Sequence, residues 1–338
     1  MKYYTRTLTL FLFISVLFGQ PTFTEHVIST SGRANFVYTA DVDSDGDMDV
    51  LSSSGSDNFI SWFENDGSES FTEHVISDSV IYARSVYAAD VDSDGDMDVL
   101  SASDFDDKIA WYENDGSESF TEHAISTSAD RAFCVYAVDV DGDGDMDVLS
   151  ASGGDDKIAW YENDGSESFT EHAISTSAEF AYSVYAADVD SDGDMDVLSA
   201  SGNDDKIAWY ENDGSESFTE HAISTSADYP TSVYAVDVDG DGDMDVLSAS
   251  ILDDKVAWYE QEGSPVTFQP QTTAALQTAV DLWISDNASA LSTYGEINTW
   301  DVSLITDMSE LFQSKTTFND AIGNWDVSNV IDMGSMFN

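Results

Sequence analysis

Asp41-Val42-Asp43-Ser44-Asp45-Gly46-Asp47-Met48-Asp49 is the stretch that decides how this chain is read. Carboxylates occupy every second position, and a glycine sits at position six, where a backbone wrapping a hard cation must turn sharply. The same form begins again at Asp90, Asp139, Asp188 and Asp237, always 49 residues further on. A period near 50 marks a repeat architecture. Starting the loop at Asp43 instead would put Met48 at the turn, so Asp41 fixes the register. Position twelve is then Ser52, where an EF-hand would carry glutamate, and strand-like sequence flanks every copy. The reading is a nine-residue calcium loop between β-strands, with about one ion per repeat.

The candidate metal residues are Asp41, Asp43, Asp45, Asp47 and Asp49; Asp90, Asp92, Asp94, Asp96 and Asp98; Asp139, Asp141, Asp143, Asp145 and Asp147; Asp188, Asp190, Asp192, Asp194 and Asp196; and Asp237, Asp239, Asp241, Asp243 and Asp245. The first, third, fifth and ninth positions offer side-chain oxygens, and the seventh its backbone carbonyl. The competing reading is a solvated acidic turn. Five carboxylates in nine residues repel one another without a cation, which favours the metal. Magnesium is disfavoured because it prefers to keep its waters.

Around each loop the second copy shows the full unit. Val86-Tyr87-Ala88-Ala89 leads in, Val99-Leu100-Ser101-Ala102-Ser103 follows, and Lys108-Ile109-Ala110-Trp111-Tyr112-Glu113 comes next. After the turn Asn114-Asp115-Gly116-Ser117, the unit closes on Phe120-Thr121-Glu122-His123-Ala124-Ile125. Four short β-branched and aromatic runs per 49 residues describe a propeller blade. The expected fold is therefore all-β, with five four-stranded blades. Phe23-Thr24-Glu25-His26-Val27-Ile28 is a fourth-strand sequence with no blade before it, and the last copy degenerates after Trp258-Tyr259-Glu260. The N-terminal strand is expected to close the last blade into a ring. The alternative is an open or larger ring completed by missing blades or another chain.

These residues resemble the FG-GAP/VCBS repeat family, through Ala40 to Val50 and its four counterparts, over residues 22–262. The resemblance implies propeller blades with calcium between the first two strands, often in secreted or adhesion proteins. Such rings commonly have seven blades, and five here is a departure. The tail differs. Thr272 to Ser285 reads as a short amphipathic helix, and a 25-residue period then returns Trp300-Asp301-Val302-Ser303 as Trp325-Asp326-Val327-Ser328. Through Trp325 to Met333 the tail resembles BspA-like, DUF285-type surface repeats. The domain expectation is a signal peptide at 1–19, the propeller at 22–262, a linker at 263–271 and the repeat region at 272–338, truncated within its second unit.

Bulk properties narrow the function. The chain has 67 acids against 10 bases and a net charge of −57, a field that repels nucleic acid and anionic membranes. Lys2, Arg6 and the apolar run Leu8 to Phe18 read as an export signal too short to span a bilayer, so no membrane span remains after cleavage. This pattern implies a secreted or cell-surface location. Cys134 aligns with Ser183 and Ser232 and reads as a structural thiol. His26, His74, His123, His172 and His221 fall in one fourth-strand slot each, so they cannot converge on a zinc. Trp62, Trp111, Trp160, Trp209 and Trp258 read as inter-blade core.

Near-identical copies make their differences informative. The links from strand four to strand one and from strand two to strand three vary, and in an up-and-down blade both emerge on one face, opposite the Asp loops. Candidate ligand residues there are Arg33, Tyr82, Arg84, Arg131, Phe133, Phe180, Tyr182 and Tyr229. Guanidinium forks among aromatic rings suit sugars or carboxylates; the bland alternative is that the rings simply fill the mouth of the ring. The expected function is a non-enzymatic recognition or adhesion module for a glycan or an extracellular protein. The alternatives are a propeller-type polysaccharide hydrolase or lyase, for which single-copy Glu179 and Asp228 are the only acid candidates, and a structural surface-layer component.

Overall fold

The computed structural model describes residues 24–30, 32–261, 268–295, 297–316 and 318–337. The expected export signal lies outside them. Chain contacts divide the protein into two units, Met1–Ser31 and Gly32–Asn338, and every strand and helix among the described residues belongs to the second.

Among the described residues nineteen strands form five antiparallel sheets in strict chain order. Blade one is β1 (Ala34–Ala40), β2 (Asp49–Ser54), β3 (Phe59–Asn65) and β4 (Phe71–Ser77). Blade two is β5 (Ala83–Ala89), β6 (Asp98–Ser103), β7 (Lys108–Asn114) and β8 (Phe120–Ser126). Blade three is β9 (Ala132–Val138), β10 (Asp147–Ser152), β11 (Lys157–Asn163) and β12 (Phe169–Ser175). Blade four is β13 (Ala181–Ala187), β14 (Asp196–Ser201), β15 (Lys206–Asn212) and β16 (Phe218–Ser224). Blade five has, among the described residues, β17 (Pro230–Val236), β18 (Asp245–Ser250) and β19 (Lys255–Tyr259).

Each sheet buries its middle strands because their residues are apolar or small on both faces. The second strand of blades two to four, Asp-Val-Leu-Ser-Ala-Ser, is buried throughout. The fourth strand alternates Phe-Thr-Glu-His-Ala-Ile and keeps one face wet, as an outer strand should. First strands pack in series, β1 on β5, β5 on β9, β9 on β13 and β13 on β17. Their tyrosines form a ladder, Tyr38, Tyr87, Tyr136, Tyr185 and Tyr234, with centroids 4.6, 4.9, 5.0 and 4.7 Å apart. Between blades, Trp62, Trp111 and Trp160 are buried, and each meets the phenylalanine of the next blade's fourth strand edge-on at 6.4 to 6.5 Å. Truncating one such tryptophan would cost about 3–5 kcal/mol.

The fold departs from expectation in two respects. Among the described residues only four of the five blades have four strands, and residues 24–30 form no strand. Closure is not seen among the described residues either. Val37 of β1 is 63% exposed, although its counterparts Val86, Val135, Val184 and Val233 are at 0, 2, 3 and 4%. At the other end Val256 and Trp258 of β19 are 83% and 44% exposed. Both terminal blades thus show apolar faces that every internal blade covers with a neighbour.

The tail packs separately around its own core of Leu276, Trp283, Trp300, Met308, Phe312 and Trp325. Helix α1 (Thr273–Ser285) begins on the N-cap Thr272, whose side chain accepts the Ala275 N–H. A second helix, α2 (Asn287–Tyr294), was not anticipated; Asp286 caps it by accepting the Ser289 N–H. The 25-residue period becomes turn-on-turn stacking. Asp307 bridges Asp332 in parallel, Trp300 stacks on Trp325 at 6.2 Å, and Phe312 stacks on Phe337 at 5.3 Å.

Candidate functional site

The Asp loop joins the first and second strands of each blade. The sequence folds it locally through its own carboxylates. In blade one Asp41 Oδ2 accepts the Gly46 N–H at 3.0 Å, Asp43 Oδ1 the Asp45 N–H at 3.2 Å, and Asp45 Oδ1 the Asp47 N–H at 2.8 Å. Gly46 supplies the left-handed turn, at φ +97°. Ligand oxygens of the first, third and fifth positions converge in blades one and two, and those of the first, third and ninth in blades three to five, all within 4.8 Å of one another.

Two observations test whether a cation fits. Asp41 Oδ1 and Asp90 Oδ1 are buried and have no hydrogen-bond partner. An anionic oxygen in that state needs a positive partner. In addition, burial pushes Asp43, Asp92, Asp141 and Asp190 above the usual carboxylate range, and their neighbouring carboxylates push the same way. An all-oxygen, multiply anionic donor set is what calcium takes.

The five positions are not equivalent. The ninth, Asp49, Asp98, Asp147, Asp196 and Asp245, is almost fully buried and ties the loop to its blade. Asp98 accepts the Val91 N–H at 3.0 Å and the Asn114 N–H at 2.8 Å, one on each oxygen. Burial pushes Asp98 and Asp147 up to about 6, against those hydrogen bonds. The seventh turns away. A Cβ on Gly67, Gly116, Gly165 or Gly214 would meet Oδ2 of Asp47, Asp96, Asp145 or Asp194 at 2.3 to 2.4 Å, so these carboxylates lie over the Asn-Asp-Gly turn. The loops also join blades. Asn114 Nδ2 donates to Val42 O, Asn163 Nδ2 to Val91 O and Asn212 Nδ2 to Val140 O, each crossing to the loop of the preceding blade.

The varied links meet at the other end of the strands. In each blade they are hydrogen-bonded to each other, as in Asp104 N–H to Tyr82 O (3.1 Å), Gly153 N–H to Arg131 O (3.1 Å) and Gly202 N–H to Phe180 O (3.0 Å). Tyr82, Arg131, Phe180 and Tyr229 all hold left-handed backbone, with φ from 56° to 65°. Such backbone costs a bulky L-residue about 1–2 kcal/mol. It is held by the preceding blade: Asn58, Asp107, Asp156 and Asp205 accept their N–H groups at 2.9 to 3.2 Å.

Seven of the eight predicted ligand residues form one cluster. Arg84 lies over the rings of Tyr82 and Phe133, and Arg131 over Phe133 and Phe180. Tyr182 stacks on Phe133 at 4.7 Å and meets Tyr229 at 5.8 Å. Arg33 stands apart, exposed at the start of blade one with its N–H on Asp57. Sequence reasoning missed Asp104. Its side chain is fully buried and binds both arginines, Arg84 through Nη2 at 2.6 Å and Nε at 3.0 Å, and Arg131 through Nε at 3.2 Å. Its signal was available: every other copy has glycine or isoleucine there, namely Gly55, Gly153, Gly202 and Ile251. Beside the cluster lies a cavity of about 300 Å³ lined from all five first strands, including Phe36, Arg84, Phe133, Tyr182 and Thr231.

The remaining residues take the roles expected of packing. His74, His123, His172 and His221 stack on Trp62, Trp111, Trp160 and Trp209 at 4.6 to 4.7 Å, with Nε2 on Glu64, Glu113, Glu162 and Glu211. Burial pushes the Cys134 thiol up, away from nucleophilic use.

The fold and its loops define a bladed all-β repeat protein with an acidic cation-type loop in each blade. The FG-GAP-like repeat model matches residues 41–101, 90–150, 139–199 and 188–248, together more than half of the chain, and the protein belongs to that family. Residues 283–338 match a second family, described as Mycoplasma protein of unknown function, DUF285. No curated protein matches. Among solved structures the chain is similar to an Agrocybe aegerita lectin described for specific recognition of non-reducing terminal N-acetylglucosamine (18% identity, 63% of this chain and 60% of that one, TM-score 0.46). It is also similar to the rhamnogalacturonan lyase YesW (15%, 67% and 48%, TM-score 0.45) and to the V. cholerae biofilm matrix protein Bap1 (20%, 68% and 37%, TM-score 0.43). The chain spans 60% of the lectin and 48% of the lyase. Among the described residues no helix is long and apolar enough to cross a membrane.

Proposed function

We propose that this protein is a secreted or surface-held, calcium-stabilised recognition module without catalytic activity, which binds a glycan or protein ligand through the varied end of its blades. The observation that carries the reading is the single-copy cluster of Arg84, Arg131 and Asp104 beside the cavity of about 300 Å³. Four bulky residues held in left-handed backbone support it, because strain of that kind persists where the surroundings over-determine it and concentrates at functional sites.

The chemistry narrows the ligand. Two guanidinium charges against one buried carboxylate leave one net positive charge in a chain of net charge −57. The aromatic faces are largely taken by the guanidinium groups, which favours polar recognition over sugar stacking. A carboxylate-bearing sugar or an acidic side chain fits the donors that Arg131 and Arg84 do not spend on Asp104. The calcium loops, at the opposite end of the blades, hold the scaffold rather than the ligand. The test is binding of neutral and uronate-bearing oligosaccharides to the whole protein and to an Arg84→Ala/Arg131→Ala variant. Selective loss of uronate binding supports the site; equal binding by both proteins removes it. Turnover of the polysaccharide would establish an enzyme instead.

A further inference from the structure

Successive blades meet through one recurring pair of faces. In the joint of blades one and two, Val42, Leu51, Ile60 and Trp62 share a core with Val86, Ala88, Val99 and Tyr112 of the next blade. Blade five repeats the first face as Val238, Leu247, Val256 and Trp258, and blade one repeats the second as Val37, Thr39, Val50 and Phe63. We propose that these two faces dock on each other between two copies of the chain, with blade five of one copy seating blade one of the next. The joint lies on the flanks of the blades, so the proposal is independent of the ligand reading.

The internal joints specify a second copy contact by contact. Val42, Val91, Val140 and Val189 are 1 to 5% exposed under the following blade, whereas Val238 is 45% exposed. Trp62, Trp111 and Trp160 meet Phe120, Phe169 and Phe218 of the following blade; among the described residues Trp258 has no such phenylalanine and Phe71 no such tryptophan. The tyrosine ladder ends at Tyr38 on one side and at the exposed Tyr234 on the other.

The hydrogen bonds agree. Asn114, Asn163 and Asn212 each give Nδ2 to two carbonyls, one in their own blade and one, Val42, Val91 or Val140 O, in the preceding blade. Asn65 gives Nδ2 to Met48 O alone among the described residues, which leaves one amide hydrogen for Val238 O of another copy. Thr39 and Ser61 stand where later blades have alanine, so the blade-one face keeps small side chains at the same places. Val37 and Val256 are exposed together in one chain, so its own blade one does not cover its blade five. A joint between two unlike faces is heterologous, and it adds copies in series.

The whole chain is to be measured by sedimentation velocity and light scattering, with calcium and at about 0.15 M salt, where repulsion between copies of net charge −57 is screened. The average mass is expected to rise with concentration. A mass that stays at one chain throughout overturns the proposal without any substitution. Val37→Asp and Val256→Asp each put a charge on one face, at a position exposed in the single chain. Either variant alone is expected to associate at least about a hundredfold more weakly. Mixed in equal amounts, the two should associate again and stop at two chains, because Val37→Asp keeps its blade-five face and Val256→Asp its blade-one face. A variant that associates as well as the unaltered chain, or a mixture that gains nothing over its components, puts the contact elsewhere and overturns the joint.

Discussion

Asp104 has no solvent exposure, yet it takes Arg84 through two nitrogens and Arg131 through a third. A buried carboxylate gripped by two stacked guanidinium groups is a rigid junction between blades two and three. Asp104→Ala is expected to cost about 1–3 kcal/mol, because Arg84 and Arg131 lose a charged partner but, at 28% and 40% exposed, keep access to water. Denaturant unfolding checks this. A loss below about 1 kcal/mol would show that the arginines find other partners and that Asp104 does not hold them.

Calcium should raise the melting temperature, and a chelator should lower it. An ion at about one hundred times its dissociation constant contributes about 2.7 kcal/mol at one site. Asp90→Asn removes the charge from one of the two loop carboxylates with an unpartnered buried oxygen and is expected to lower the number of bound ions by one, as counted by calorimetry. An unchanged count, or a melting temperature indifferent to chelation, would discard the metal.

The pH dependence without metal has a definite sign. Asp98 and Asp147 are pushed up to about 6 by burial, above the ordinary aspartate value. A raised carboxylate favours the folded state when protonated. That contribution is full below about pH 4 and is lost as pH rises through about 6. Chelated protein should therefore lose stability between about pH 4 and 7, and saturating calcium should remove the trend. Thermal melts across that range, with and without metal, are the check.

Two glycines in blade two should respond differently to alanine. A Cβ on Gly116, at φ +72°, meets Asp96 Oδ2 at 2.4 Å, whereas one on Gly95, at φ +99°, meets nothing within 4 Å. Both substitutions strain the backbone by about 1 kcal/mol, but only Gly116→Ala also displaces a carboxylate. Gly116→Ala should be the more destabilising by unfolding measurements, and equal losses would show that Asp96 moves freely.

Much of the fold was legible because repetition turned local chemistry into architecture. Asp41 to Asp49 fixed the loop register, and Phe120 to Ile125 marked the fourth strand of the unit. What escaped was everything decided by long-range partners. Asp104 looked like one more acid in a chain of 67, because its meaning depends on Arg131, 27 residues away. The seventh position's separate duty was legible, but the tie of the ninth to its blade was hidden, since Asp49 gains it only from the Val42 and Asn65 N–H groups. Arg33 carried the right side chain for the cluster and the wrong place in the arc. Helix α2 was missed although Asp286 and Ser289 stand at capping distance in the sequence, because Asn287 to Tyr294 has little apolar periodicity.

Strands β8, β12 and β16 share one sequence, Phe-Thr-Glu-His-Ala-Ile-Ser, and the third strands they join share another. Side chains alone therefore cannot tell a correct hairpin from one made with a distant twin. Tether length discriminates: the proper partner is tied by a short turn, while the nearest impostor, β8 with β11, must close the 30 residues from 127 to 156. Emergence from the ribosome in order would reinforce that bias. Two unfolded molecules at high concentration have no such tether advantage, and swapped, tangled multimers are the failure to which this sequence is most exposed.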